Sequence, residues 1–210
     1  MYKHYTPVEQ VDMTFYYILG ISIVVLIGIT IAMIYFVIRY HYKRNPVATQ
    51  IRGHVGLEIL WTVIPSLIAL SMFYFGWISY LDLRKIPKDA LEIQVSAEMF
   101  NWFFGYQEGK ESQNELVVPV GRAIKLNITS EDVLHGFFLP AYRIKMDAVP
   151  KMTTNAWFYA DKEGEYDIFC TVYCGVGHSG MHAKLKIVSK EDYERWLKGE
   201  SLGEKSSNNH

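Results

Sequence analysis

The 210-residue chain holds only two cysteines, Cys170 and Cys174. A disulfide-dense scaffold, which needs several pairs, is excluded. No Cys-x-x-Cys-His motif is present, so the chain carries no fused c-type cytochrome. Lysines and arginines number 21 against 22 aspartates and glutamates, and no basic block or stripe disturbs the net charge of −1. Nucleic acid is not a partner that such a sequence recruits. Internal repeats and long linkers are missing as well. Charge of either sign is missing from Met13 to Ile38.

That uncharged stretch, "MTFYYILGISIVVLIGITIAMIYFVI", exceeds the roughly 20 apolar residues that a bilayer core demands. A second run, "ILWTVIPSLIALSMFYFGWISYL", reaches from Ile59 to Leu81, holds Pro65 and is approached through Glu58. Both read as spans, so residues 1–81 are expected to form a two-helix transmembrane hairpin. The first run is longer than the h-region of a signal peptide, roughly 7–15 residues, and lacks a small-x-small cleavage site. It is therefore expected to stay in the mature protein. Arg39, Lys43, Arg44 and Arg52 lie between the spans against Lys3 alone before them, which puts that loop in the cytoplasm and both termini outside. Arg84, Lys85 and Lys88 are a counter-signal to this orientation.

From Asp82 onward the composition is that of a soluble domain, expected over 82–198. Short apolar segments bounded by turn residues recur: "LEIQVSAEMFNWFFGY", "ELVVPVG", "RAIKLNITS", "HGFFLP", "NAWFYA", "EYDIFC" and "AKLKIVS". This spacing reads as an all-β sandwich or barrel. Ser189, with Asp192 three residues on, opens one short helix. The polar tail over 199–210 reads as disordered.

Both cysteines fall within "CTVYCGVGHSGM", Cys170 to Met181, beside His178. Thiolate, imidazole and thioether are the soft and borderline donors that suit copper, whereas the oxygen ligands of calcium or magnesium are missing. "EYDIFC" reads as a strand delivering Cys170, and "AKLKIVS" as the strand leaving after His182, so the donors occupy a loop at one end of the sandwich. Gly175, Gly177 and Gly180 suit a tight path there. A mononuclear blue-copper site uses one cysteine; two thiolates can bridge a pair of ions, with His135 of "EDVLHGFFLP" as the further nitrogen donor. A disulfide and a structural zinc site remain alternatives. A disulfide leaves His178 and Met181 without a role, and zinc rarely takes a thioether.

The pattern Cys-x-x-x-Cys-Gly-x-x-His-x-x-Met, with "DVLHGFFLP", "RIKMDAVP" and "LEILWTVIPSL", resembles subunit II of the haem-copper cytochrome c oxidases over nearly the whole chain. The resemblance implies a transmembrane hairpin followed by an all-β cupredoxin-like Greek-key domain holding the binuclear copper A centre. Cys170 and Cys174 would bridge the coppers, with His135 and His178 as terminal imidazoles. Met181 would be a weak ligand to one copper and the Val172 backbone carbonyl a ligand to the other. The implied function is to take electrons from cytochrome c, or an equivalent donor domain, and pass them to haem in subunit I. There oxygen is reduced and protons are pumped. Further implied partners are subunit III and membrane lipid, and the implied location is a bacterial-type inner membrane.

Departures from the family pattern carry their own expectations. Val172 replaces the usual glutamate, so no magnesium carboxylate is expected from this loop. Phe100 stands where a tryptophan receives electrons, with Trp102 at the second aromatic place of "MFNWFFGY". Lys151 replaces the glycine of "DAVPG", altering the turn after Pro150. Asp147 matches an acid near the subunit interface, and Glu58 a glutamate at the cytoplasmic mouth of a proton path. Donor docking is expected near Glu98, Glu108 and Glu111. His4, His41, His54 and His210 read as solvated, and His182 as pointing away from the metals. The nearest rival is the electron-input subunit of a copper A-containing nitric oxide reductase. Weaker rivals are a quinol oxidase subunit with a degenerate domain and a non-enzymatic tethered domain with a structural disulfide.

Overall fold

The computed structural model describes residues 6–47, 50 and 52–200. The terminal residues His4 and His210 and positions 201–210 of the expected tail lie outside them. Two compact units result, one running from Glu9 to Arg84 and the other taking in the residues from Lys85 onward together with residues 6–8.

The first unit is a helical hairpin of α1 (Pro7–Arg39) and α2 (Val55–Leu83). Each helix contains one of the apolar runs and extends it by a turn or more at its N-terminal end and by a residue or two at its C-terminal end. At 33 residues α1 is about 50 Å long, enough for a bilayer core with length to spare. A helix satisfies its own backbone, which is the condition for lying in lipid. Side chains join the two: Thr14 Oγ1 and Ser79 Oγ are 2.7 Å apart, as are Tyr17 OH and Ser71 Oγ. Hydroxyl pairs of this kind hold helices together where no hydrophobic force acts between them. Pro65 lies inside α2 without ending it. His54 is exposed, as expected, but also caps α2: its Nδ1 accepts the Leu57 amide at 3.2 Å. Histidine is not among the usual cap residues, so this role left no sequence signal.

The second unit is a β-sandwich. Its strands are β1 (Leu91–Glu98), β2 (Asn101–Tyr106), β3 (Glu111–Gln113), β4 (Glu115–Pro119) and β5 (Ala123–Ser130). They continue with β6 (His135–Leu139), β7 (Ile144–Ala148), β8 (Thr154–Tyr159), β9 (Gly164–Cys170) and β10 (His182–Val188). One sheet has the order β3-β2-β1-β5-β8 and the other β4-β10-β9-β6-β7. The chain thus passes repeatedly from sheet to sheet; β1·β5 and β4·β10 pair in parallel, and the remaining neighbours pair antiparallel. Alternation explains the layering: Leu91, Ile93, Val95 and Ala97 of β1 are buried while the residues between them are not. Trp102, Phe104, Phe137, Phe158 and Ile168 fill the space between the sheets.

All the segments read as strands are strands, although "LEIQVSAEMFNWFFGY" proves to be two, folded into a hairpin with Glu98 opposite Asn101. Two strands were missed. β3 is three polar residues at a sheet edge, and β7 alternates charge with apolar side chains inside "RIKMDAVP". The closing helix α3 (Lys190–Leu197) is capped by Ser189, whose Oγ accepts the Asp192 amide at 3.1 Å. Its Tyr193 and Trp196 are buried in the core.

Candidate metal centre

One end of the sandwich gathers all six residues singled out as donors. His135 opens β6 and is wholly buried, Cys170 closes β9, and the chain from 171 to 181 returns as a loop to β10. The Cys170 and Cys174 sulfurs are 3.9 Å apart, and both are buried free thiols. A disulfide bond is about 2.05 Å long, so these sulfurs are not joined. Around Cys170 Sγ stand His135 Nδ1 at 3.9 Å and the Val172 carbonyl oxygen at 3.3 Å. Around Cys174 Sγ stand His178 Nδ1 at 3.5 Å and Met181 Sδ at 3.9 Å. Each sulfur therefore has one imidazole and one weaker donor beside it.

These spacings fit a metal. Two sulfurs bound at about 2.3 Å to one tetrahedral ion are about 3.8 Å apart, and a sulfur and an imidazole nitrogen about 3.5 Å. His135, Cys170 and Cys174 alone place their donor atoms within 4.8 Å of one another. Burial pushes the Cys174 thiol up to about 11, and the adjacent Cys170 sulfur adds to the push. Without a metal Cys174 is therefore protonated at neutral pH, and a cation must displace its proton to bind the thiolate.

Asp132 was not singled out from sequence, although it stands three residues before His135 in "EDVLH". Its Oδ1 lies 2.8 Å from His135 Nε2, leaving Nδ1 free to face Cys170. An outer partner that fixes a ring in this way is a regular feature of histidine ligands. Burial raises the Asp132 carboxyl, but bonds from His135 and from the Met99 and Val133 amides outweigh it and bring it down to about 2. The carboxylate is thus charged wherever the domain functions.

Other positions of interest are scattered. Trp102 is fully buried, its ring edge-on to Phe137 and 6.2 Å from His135 between centroids. Phe100 is half-buried and lies against the 175–177 backbone. Glu98 is at the metal end of β1, whereas Glu108 and Glu111 flank the turn after β2, about 17 Å along the strand. The three carboxylates expected to steer a donor therefore do not form one patch. Asp147 is exposed on β7 opposite Gly136, and Glu58 is exposed in the first turn of α2. Lys151 keeps a left-handed φ of 63°, so this turn retains a conformation natural to glycine. His41 is exposed, and His182 faces solvent with its Nε2 2.6 Å from the Ser179 carbonyl.

A family model described as the periplasmic domain of cytochrome c oxidase subunit II matches residues 72–188, and one for its transmembrane domain matches residues 6–76. This chain belongs to the cytochrome c oxidase subunit II family. Cytochrome c oxidase subunit 2 of Alkalihalophilus pseudofirmus is 32% identical over 88% of this chain and 57% of its own length. The chain thus spans little more than half of that relative. Subunit 2 of Cereibacter sphaeroides is 28% identical over 86% of this chain and 73% of the relative. Among solved structures, the periplasmic domain of subunit II from Bradyrhizobium japonicum covers 55% of this chain and 96% of its own, with 30% identity and a TM-score of 0.53. This likeness supports the cupredoxin-like fold of the β-sandwich. A second, at 28% identity and a TM-score of 0.50 over 55% of this chain and 94% of that one, is a mixed disulfide between a thioredoxin-like protein and subunit II of a cytochrome c oxidase. The family is that of a membrane protein with its β-domain on the outer side of the membrane. The nitric oxide reductase reading is not favoured by these likenesses.

Proposed function

We propose that this chain is the electron-accepting subunit of a respiratory haem-copper oxidase, holding two copper ions between Cys170, Cys174, His135, His178, Met181 and the Val172 carbonyl. The observation that carries this reading is the pair of free sulfurs 3.9 Å apart, each flanked by its own imidazole. Residues 1–81 anchor the chain and 82–198 form the copper domain. Bound copper would supply one-electron redox chemistry, which suits a chain that receives electrons from cytochrome c or an equivalent donor domain and passes them on to haem in subunit I. The chain's part is to bind, orient and exclude water. Cys170 and Cys174 would hold the ions, Asp132 fixes the His135 ring, and burial keeps water from the sulfurs. Strands on both sides of the loop limit rearrangement when the charge changes. Subunit III and the lipid of a bacterial-type inner membrane complete the setting.

Phe100 is half-buried, packed against the core and against the backbone of the ligand loop, which supports a role in receiving electrons; buried Trp102 would act behind it. Asp147 is proposed as a subunit-interface acid and Glu58 as the mouth of a proton path. Val172 brings no carboxylate, so no magnesium bound through a side chain of this loop is proposed. Because Cys170 and Cys174 must be reduced thiols before copper enters, a thioredoxin-like reductant is a fitting partner during assembly, as the relative's mixed disulfide suggests. The test is copper loading of the full chain in detergent with reduced thiols. About two coppers per chain and an electron shared between two copper nuclei in paramagnetic resonance support the reading. One copper, zinc preference, or a disulfide that survives reduction would reject it.

A further inference from the structure

The three glycines of the ligand loop stand there for different reasons. Gly175 has a φ of 135°, a backbone that disfavours any side chain. Gly180 has open space where a Cβ would go. Gly177 has an ordinary φ of −86°, yet a Cβ on it would stand 2.5, 2.7 and 2.8 Å from Cδ2, Cε2 and Cγ of Phe100. A Cβ on Gly175 would stand 3.2 Å from Cε1 and Cζ of the same ring. The ring therefore spans the backbone from 175 to 177, between Cys174 and His178, and takes the volume of a side chain at 177.

Phe100 is not free to drift. The preceding residue, Met99, donates its amide to Asp132 Oδ2 at 2.7 Å, and Asn101 is paired in the β1–β2 hairpin. Asp132 bonds His135 with its other oxygen. A continuous path thus runs from His135 through Asp132, Met99 and Phe100 to Gly177, next to His178. Because the Cγ of the ring is among the close atoms, swinging the ring tip alone would not make room.

We infer that Phe100 and Gly177 are a fitted pair that positions His178, with glycine required at 177 by the ring and not by the backbone. The pair fixes the height of the loop over the core, and through it the separation of His178 from Cys174. This deepens the copper reading when the site is loaded, but the fit belongs to the metal-free protein and is tested there first.

The experiment uses the full chain in detergent as four variants: Gly177→Ala, Phe100→Ala, the double variant, and Gly180→Ala as a control. Amide exchange of the loop, where the His178 amide bonds the Gly175 carbonyl at 3.1 Å, is read without metal, and copper loss to a chelator is read after loading. Gly177→Ala is expected to speed both by about tenfold or more, the scale on which contacting residues couple. The double variant should return to within about threefold of Phe100→Ala alone, and Gly180→Ala should match the parent. Gly177→Ala that exchanges like the parent, or a double variant no better than Gly177→Ala, overturns the inference. If Gly177→Ala fails to fold, recovery of fold in the double variant supports the pair and its absence overturns it. A parent chain that takes up no copper defeats the proposed function and leaves the exchange comparison to decide this one.

Discussion

The two halves of the candidate centre are built differently. Cys170 and His135 sit on strand ends, and His135 is wholly buried, held by Asp132 and bordered by Trp102. Cys174 and His178 belong to the loop, with His178 on a single 3-10 turn, half-buried and 5.8 Å from the Tyr173 ring between centroids, while Met181 returns the loop to the core, where it is fully buried. Tyr173 and Val176 beside it are exposed at 76% and 98%. The strand half is set by the fold, whereas the loop half is set by its own turn and by what leans on it. Removing the buried His135 should therefore damage the metal-free fold, and removing the half-buried His178 chiefly metal binding.

The largest effect is shared by both halves. Cys170→Ser and Cys174→Ser each remove one of the two sulfurs proposed to hold the coppers, and either should abolish two-copper loading, as metal analysis would show. Trp102→Ala empties a fully buried site behind His135 and should cost about 3–5 kcal/mol in chemical unfolding of the metal-free chain. His135→Ala should cost about 2–4 kcal/mol in the same assay, through a cavity and a stranded Asp132, while His178→Ala should stay within about 0.5 kcal/mol. Equal costs would erase the distinction between the halves. Asp132→Asn should weaken copper binding about 10–100-fold, measured by competition with a chelator, and leave the loop's exchange less affected than His135. Acidity offers a further check. Because the Cys174 thiol is raised to about 11, it is protonated across neutral pH. Each proton displaced makes apparent copper affinity rise about tenfold per pH unit, so uptake should strengthen as pH increases toward that value.

Most of the architecture could be read from periodicity. Uncharged runs marked both helices, and alternating side chains marked eight of the strands because one face of each meets the core. What escaped was short or polar: β3, with three polar residues, and β7, whose Lys145 and Asp147 interrupt an apolar pattern. The donors were legible because cysteine is so scarce that their shared loop stood out. Their supports were not. Asp132 is one aspartate among many until the fold turns its carboxylate toward His135. The steric demand at Gly177 arises from a residue 77 positions away in sequence, a relation no local pattern encodes. The separation of the three expected docking carboxylates was hidden for a related reason: Glu98, Glu108 and Glu111 are near in sequence, but a strand carries the latter two to the far end of the sandwich.

The most direct test of the copper reading is paramagnetic resonance on the full chain, loaded with copper after reduction of Cys170 and Cys174. The account predicts one unpaired electron divided equally over two copper nuclei, lost together with the second copper in Cys174→Ser. The simpler pattern of a single copper in the parent chain would contradict it.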